Sequence, residues 1–212
     1  MKELKPKYLA FDLETGGLNP KTNAILTGYW GVYNKDFELL DELELFVKPL
    51  PPFDLVEASA LKVNQIDIQK HIEDPKTVGY ADAVGLLTVF LAKHKGSGRY
   101  DKPRPIGHNV DFDLDFIYNQ FMDKTTWEKY CSYGKIDTKG IADFLKDVGW
   151  LPPEIGRLES LVKHFNLPQL KAHTAKDDTH MMINVYKQLI SMLQSSKSGG
   201  ITSLDLLQML EK

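Results

Sequence analysis

Four acidic side chains in three separate segments have the types and spacing that metal-assisted chemistry uses. The stretch YLAFDLETGGL, from Tyr8 to Leu18, carries Asp12 and Glu14 two residues apart. Alternate side chains of a strand share a face, so these carboxylates lie on one side, roughly 7 Å apart along the strand. Two neighbouring acids repel each other and resist desolvation unless protons or cations neutralise them. The strand has no arginine or lysine, so it cannot neutralise them itself.

Two further segments each direct one acid toward the apolar side of a predicted helix. In HNVDFDLDF, helical spacing puts Asp113 in phase with the apolar residues that follow, whereas Asp111 and Asp115 share a polar face. In HTAKDDTHMM, Asp178 is in phase with the apolar stripe and Asp177 faces water. Each acid taken alone is explained as well by a partly buried, hydrogen-bonded structural carboxylate.

Taken together, Asp12, Glu14, Asp113 and Asp178 predict one cation site. Carboxylates without sulfur ligands favour Mg²⁺ or Mn²⁺ over zinc. Two divalent ions would balance the four negative charges, an arrangement suited to in-line displacement at phosphorus. His173 precedes Asp178 by a few residues, and a neutral imidazole there is suited to deprotonating a water. The alternative for His173 is a surface histidine. We expect ordinary surface positions for the histidines at 71, 94, 164 and 180.

The pattern of hydrophobicity predicts the elements that must position these residues. Alternating runs at 8–15, 24–34 and 37–49 predict three strands in an antiparallel meander. The proline-rich PLPPFD ends that sheet, and 55–68 predicts a short helix and loop. We expect helices over 76–94, 110–122, 139–149, 156–166 and 174–193, with brief strands at 105–109 and 135–138. In this order of elements, three strands come first and strands then alternate with helices. The order predicts an α/β protein with a mixed sheet flanked by helices.

Length and composition are those of an ordinary folded domain. The chain has 212 residues, 42% of them hydrophobic and 26% charged, which indicates one domain over residues 1–194. A net charge of −3 argues against a nucleic-acid binder held by a broad basic surface. No apolar window is long enough for a membrane span, so we expect a cytoplasmic protein with no membrane partner. Cys131 is the one cysteine and predicts a buried filler residue.

The last residues of the sequence differ in composition from the domain. QSSKSGG predicts a flexible spacer within 195–212, followed by the short amphipathic segment ITSLDLLQMLEK. We expect this segment to be a short helix docked on the domain. A partner-binding peptide is the alternative, and SLDLL within it faintly resembles a sliding-clamp-binding peptide.

The three acidic segments resemble the motifs of a known family. FDLETGGL, GHNVDFDLDF and HTAKDD are similar in order and spacing, over roughly residues 7–192, to the three motifs of the DnaQ-like 3′→5′ exonucleases of the DEDDh subtype. EASALKVNQID and KIDTKGIADF resemble intervening pieces of the same family. The resemblance implies a ribonuclease H-like fold and two-metal hydrolysis of a 3′-terminal phosphodiester, which releases nucleoside monophosphates. Carried over by residue, it implies the metal ligands Asp12, Glu14, Asp113 and Asp178, and the general base His173.

The resemblance also implies where the 3′ end binds. The loop after the first motif would contact the terminal nucleotide, because a Gly-Gly turn permits close backbone approach, although a simple turn explains the glycines as well. The implied substrate contacts are Thr15, Gly16, Gly17, Leu18, Asn109 and Phe112. The basic loop HKGSGRYDKPRP offers a phosphate-backbone contact near the mouth of the site through Lys95, Arg99, Lys102 and Arg104, or is simply solvated.

The leading hypothesis from the sequence is therefore a 3′→5′ exonuclease that acts on single-stranded DNA 3′ ends with two Mg²⁺ or Mn²⁺ ions. An exoribonuclease or oligoribonuclease of the same fold is the first alternative, because the motifs do not reveal contacts to a 2′ hydroxyl. A non-catalytic, polymerase-associated nucleic-acid-binding module is the second. A DNA polymerase or a sliding clamp is the expected protein partner.

Overall fold

The computed structural model describes residues 7–96, 98, 101–170 and 173–198. A mixed sheet of six strands lies at its centre. The strands are β1 (Tyr8–Thr15), β2 (Ile25–Tyr33), β3 (Leu39–Val47), β4 (Thr77–Val78), β5 (Arg104–Gly107) and β6 (Ile136–Asp137). The helices are α1 (Ala58–Asn64), α2 (Ile68–Glu73), α3 (Tyr80–His94), α4 (Val110–Phe116), α5 (Lys124–Tyr130), α6 (Thr138–Asp147), α7 (Leu158–His164) and α8 (Ala175–Ser198). A π-helical turn (Ile117–Phe121) continues α4.

The sheet topology confirms the predicted fold class. The strands lie in the order β4-β3-β2-β1-β5-β6. The neighbours β1, β2 and β3 form the antiparallel meander, while β5 and β6 continue the sheet in parallel with β1. On the other edge, β4 pairs in parallel with β3. The residues of β4 belong to the helix predicted over 76–94, so that helix begins only at Tyr80.

The alternation of side chains in β1 divides the core into two layers. Leu9, Phe11 and Leu13 face the layer of α3, α4 and α5, where Phe11 meets Trp127 edge to face with ring centroids 5.7 Å apart. Ala10 faces the opposite layer and packs with residues of α8. Asp12 and Glu14 follow Ala10 at intervals of two, so they point to the α8 side of the sheet.

Helix α8 runs to Ser198, past its predicted end at residue 193 and into the predicted spacer. The amphipathic segment 201–212 lies outside the described residues, so its predicted docking stays a prediction. Cys131 is buried in the core, as predicted. None of the helices within the described ranges is long and apolar enough to cross a membrane.

The prediction of surface positions for the four histidines is wrong for His71 and holds for His164, which is exposed. His71 is buried, and its Nε2 lies 2.9 Å from the carbonyl oxygen of Val47 at the end of β3. His94 is largely covered and pairs with Asp41 at 2.8 Å. His180 is half-buried beside a pair of β2 tyrosines. Each buried ring finds a polar partner on a strand distant in sequence, which helical phase alone does not reveal.

The predicted position of the basic loop near the mouth of the site is wrong. Arg104 pairs with Tyr8 at the start of β1, four residues before Asp12 and therefore about 13 Å away along the strand. Lys102 donates to the carbonyl of Glu128, and Lys95 lies over the ring of Tyr130. Arg99 falls outside the described residues. Because β5 runs parallel to β1, the basic loop that precedes β5 meets the sheet at the start of β1, which is the end opposite the acids.

Candidate active site

Three of the predicted acids meet at the carboxyl end of β1. Asp12 and Glu14 project from the strand, and Asp178 reaches them from the first turn of α8. One carboxylate oxygen from each lies within 4.8 Å of the others, a spacing that suits a shared cation. Helix α8 begins at the correct place because the hydroxyl of Thr174 accepts the backbone N–H of Asp177 at 3.2 Å, as an N-cap does.

Asp113 lies beside this group rather than within it. It is buried, and its Oδ1 accepts the backbone N–H of Leu13 at 3.0 Å. Pairing of β1 with β5 ends at Ala10, so the open edge of β1 leaves the Leu13 amide without a strand partner, and Asp113 supplies one. The carboxyl group of Asp113 is close enough to Asp12 for its charge to raise the pKa of Asp12.

Burial and mutual repulsion disfavour the charged forms of these acids. Desolvation, followed by the charges of Asp113, Glu14 and Asp178, raises the pKa of Asp12 well above its usual value. Desolvation, followed by the charges of Asp178 and Asp113, raises the pKa of Glu14 to about 8. Desolvation raises the pKa of Asp113 to about 8, although the Leu13 amide acts in the opposite direction. A site of this kind is stabilised by protons or by bound cations.

Asp178 is the least perturbed of the four acids. Desolvation raises its pKa to about 6, while the imidazole and the backbone amide of His173 act in the opposite direction. Asp178 is half-buried and Asp177 is half-buried as well. Asp177 therefore lines the cleft beside the site instead of standing fully in water.

His173 stands immediately before α8 in a left-handed backbone conformation with φ of 68°. This conformation is uncommon for a residue other than glycine and marks a position held by its surroundings. The side chain is 32% exposed, and its Nε2 lies 4.0 Å from Oε1 of Glu159 on α7. His173 and Glu14 line one cleft with a volume of 420 Å³, so the predicted base and a predicted ligand share one opening.

A second cleft, with a volume of 340 Å³, is also lined by Glu14. The predicted substrate contacts Thr15, Gly17, Leu18 and Phe112 line it. Gly16 and Asn109 are not among its lining residues. The backbone amide of Asn109 instead donates to Asp137 at 2.9 Å.

The Gly-Gly turn is packed against its own loop. The amide of Gly16 donates to the carbonyl of Ala24 at 2.7 Å, so it does not face an incoming ligand. A Cβ on Gly16 would lie 2.7 Å from the carbonyl oxygen of Leu55, and one on Gly17 would lie 2.4 Å from Nδ2 of Asn23. Both positions therefore require glycine for close packing.

Buried amide side chains that the sequence did not single out hold this loop in place. Gln120, in the π-helical turn, donates to the carbonyls of Pro20 at 2.9 Å and Asn23 at 2.7 Å. Asn64, at the end of α1, donates to the carbonyl of Thr15 at 3.2 Å and lines both clefts. The resemblance of EASALKVNQID to a family segment pointed to this region without identifying Asn64.

Comparisons with known proteins agree on the fold. No protein-family model matches the chain. The chain is 22% identical over 201 residues to DNA polymerase III PolC-type of Mycoplasmopsis pulmonis, which covers 94% of this chain and 12% of that protein. It superposes on Escherichia coli exonuclease I in complex with a dT13 oligonucleotide with a TM-score of 0.72 and 18% identity, covering 92% of this chain and 43% of that one. The zinc-bound form of the E. coli exonuclease I complex with single-stranded DNA gives a TM-score of 0.71 and 20% identity, covering 90% and 41% of the two chains.

These comparisons establish that the chain has the ribonuclease H-like fold of exonuclease I. They confirm the fold predicted from the three motifs. The chain spans less than half the length of the exonuclease I chains and a small part of the PolC-type polymerase.

Proposed function

We propose that this chain is a metal-dependent 3′→5′ exonuclease of the DnaQ-like DEDDh type that releases nucleoside monophosphates from single-stranded DNA. The observation that carries the proposal is the group of Asp12, Glu14 and Asp178, of which Glu14 lines both clefts. It occurs on the fold of an exonuclease that has been crystallised with a single-stranded oligonucleotide. The resemblance of all three acidic motifs supports the same reaction.

The residues present fit the two divalent cations that the proposal requires. The donors are carboxylates without sulfur, and desolvation together with repulsion between the acids raises the pKa values of Asp12 and Glu14, a cost that bound cations would offset. Asp12, Glu14 and Asp178 would hold the ions, with Asp113 completing the charge balance. Bound Mg²⁺ or Mn²⁺ would supply Lewis-acid stabilisation of the scissile phosphate and lower the pKa of the attacking water.

His173 acts as the general base in this proposal. Its imidazole opens to the cleft that Glu14 also lines, and one ring nitrogen would accept the proton of the attacking water. The carboxylate of Glu159, 4.0 Å from Nε2, would favour the imidazolium that forms. The left-handed backbone at this residue keeps the ring ahead of the first turn of α8.

The 340 Å³ cleft would receive the terminal nucleotide. Its rim carries Leu18, which is 81% exposed, and Val63, which is 62% exposed, with Phe112 beside them. Large apolar side chains that are exposed around a cleft indicate a binding surface. The faces of a terminal base would pack on these side chains while the phosphodiester reaches the acids.

A nuclease assay tests the proposal directly. Oligomers labelled at the 5′ end, as single-stranded DNA, duplex DNA and RNA, are incubated with the protein in Mg²⁺ or Mn²⁺ and in EDTA. We expect stepwise shortening from the 3′ end, fastest for single-stranded DNA and absent in EDTA. Faster digestion of RNA would assign the chain to the exoribonucleases, and no cation-dependent release of mononucleotides would contradict the proposal. A polymerase or sliding-clamp partner stays a prediction, because residues 203–207 lie outside the described residues.

Replacing His173 with glutamine should lower kcat by about 10²-fold or more, since general-base catalysis contributes roughly 10²–10⁴. The substitution keeps a polar side chain of similar size, so KM should change little. The pH profile is the informative measurement, because the acidic limb set by the imidazole should disappear. His164→Gln, at an exposed histidine away from the clefts, is the matched control. A variant at position 173 with an unchanged rate and pH profile would remove the base assignment.

Replacing Leu18 with alanine should raise KM for single-stranded DNA by roughly tenfold, the loss expected when one base loses its packing partner. The kcat should be nearly unchanged, since Leu18 is not one of the residues that would hold the cations or deprotonate the water. Val89→Ala is the control, because Val89 is 70% exposed on α3, outside both clefts. Equal KM values for the two variants would count against nucleotide binding in this cleft.

A further inference from the structure

An apolar groove lies between α6 and α8, and none of its lining residues lines either cleft. It has a volume of 480 Å³. The residues that line this α6–α8 groove are Asp137, Gly140, Ile141, Phe144, Tyr186, Leu189, Ile190 and Leu193. Phe144 is 60% exposed and Leu193 is 39% exposed. Neither the two clefts nor the acid group uses this surface, and an exposed apolar groove of this kind marks a docking site.

The α8 wall of the groove has the pattern of a helix that packs on another helix. Tyr186, Leu189, Ile190 and Leu193 follow one another at the intervals i, i+3, i+4 and i+7, which is one apolar stripe. The stripe adjoins the one that packs in the core through Val185. Leu189 is buried in the core and Tyr186 packs against it, so the stripe leads from the core to the exposed side chain of Leu193.

The segment 201–212 carries a matching pattern in its sequence. On a helical projection, Leu206, Leu207 and Leu210 share one face, at the intervals i, i+1 and i+4. Asp205 and Lys212 fall on the opposite side. Twelve residues form a helix about 18 Å long, whereas the groove extends about 10 Å along α8 from Leu193 to Tyr186. The segment is therefore long enough to fill the groove.

The position of the two glycines sets the register of such a pairing. Ser198 is the last residue of α8 that the structure describes, and Gly199–Gly200 follows in the sequence, a pair of residues that favours the end of a helix and a reversal of the chain. In an antiparallel pair that reverses at these glycines, residues equally distant from them face each other. Leu206 then lies opposite Leu193, and Leu210 lies opposite Leu189.

We propose that residues 201–212 fold back as an antiparallel helix and occupy the α6–α8 groove. Length, apolar pattern and register agree on this occupant. In the docked state Leu206 and Leu207 contact the chain's own domain. The peptide SLDLL, which contains both leucines, is therefore unavailable to an external partner until the segment is released.

A double-mutant cycle on the full chain tests the pairing. Leu193→Asp and Leu206→Asp should each lower Tm by about 2–4 °C, the shift that accompanies the loss of one modest contact in a chain of this size. The double variant should lose no more than the larger single effect, because both substitutions break the same contact. Phe144→Asp replaces Leu193→Asp in a second cycle, so the result does not depend on one position. Circular dichroism confirms that each variant is folded.

Val89→Asp, at an exposed apolar residue on α3, is the control. When it is combined with Leu206→Asp, the decrease in Tm should equal the sum of the two single decreases. Additive effects in both groove cycles, or no effect of Leu206→Asp, would overturn the proposal. Size-exclusion chromatography at two protein concentrations tests whether a second copy of the chain occupies the groove instead. A dimer that dissociates with Leu206→Asp would assign the groove to a second copy of the chain and would also overturn the proposal.

Discussion

Asp12→Asn is expected to lower the rate of mononucleotide release by at least about 10³-fold without unfolding the protein. Asp12 belongs to the three carboxylates that would hold the cations, and losing one weakens several kcal/mol of charge stabilisation, at 1.4 kcal/mol for each factor of ten. The release of nucleoside monophosphates from a labelled single-stranded oligomer measures the effect. Asp178 lies on α8, whereas Asp12 lies on β1. Asp178→Asn should lower the rate of mononucleotide release to a similar extent.

Asp115→Asn is the matched control, because Asp115 is an exposed acid on the acidic helix α4 and should leave the rate unchanged. The stability of the variants separates a site effect from a folding defect. Without cations, Asp12→Asn should raise Tm, since the substitution removes a carboxyl group whose ionisation is opposed by desolvation and by three other acids. Full activity of a folded Asp12→Asn variant would contradict the site assignment.

The acids were predictable because local periodicity determines where each one points. The two-residue interval puts Asp12 and Glu14 on one face of a strand, and helical phase selects Asp178 over its neighbour. For Asp113, phase predicts burial correctly but does not show that one oxygen accepts the Leu13 amide. That bond depends on β5 ending early beside β1, a property of the sheet rather than of either segment.

The clefts and their polar supports were less predictable, because they depend on contacts between segments far apart in sequence. Asn64 and Gln120 lie in helical runs with no special pattern, yet both bind carbonyls of the loop after β1. The substrate contact predicted for Asn109 stays a prediction, and the bond from its backbone N–H to Asp137 was not visible in the motif. Helix α5 escaped prediction, although Asp123 caps it through the backbone N–H of Thr126 at 2.9 Å, the kind of start signal that a sequence shows.

The cation-free protein should lose stability as the pH rises from about 4 to about 8. In the folded state the pKa of Glu14 and of Asp113 is about 8, and that of Asp178 is about 6. In the unfolded chain these carboxyl groups titrate near 4. Between these values the folded state binds more protons than the unfolded state, so the free energy of unfolding falls with rising pH. Thermal denaturation in EDTA across this range measures the slope.

Added Mn²⁺ should reverse this trend, because a cation that binds only the folded state takes the place of the protons. The increase in Tm produced by Mn²⁺ should therefore be small near pH 5 and largest near pH 8. A Glu14→Gln variant should show a shallower dependence on pH in both conditions, whereas Asp111→Asn, at an exposed acid, should match the unsubstituted protein. A Tm increase that does not depend on pH would mean that Mn²⁺ binds elsewhere, because the carboxylates of this site have raised pKa values and must exchange protons for cations in this window.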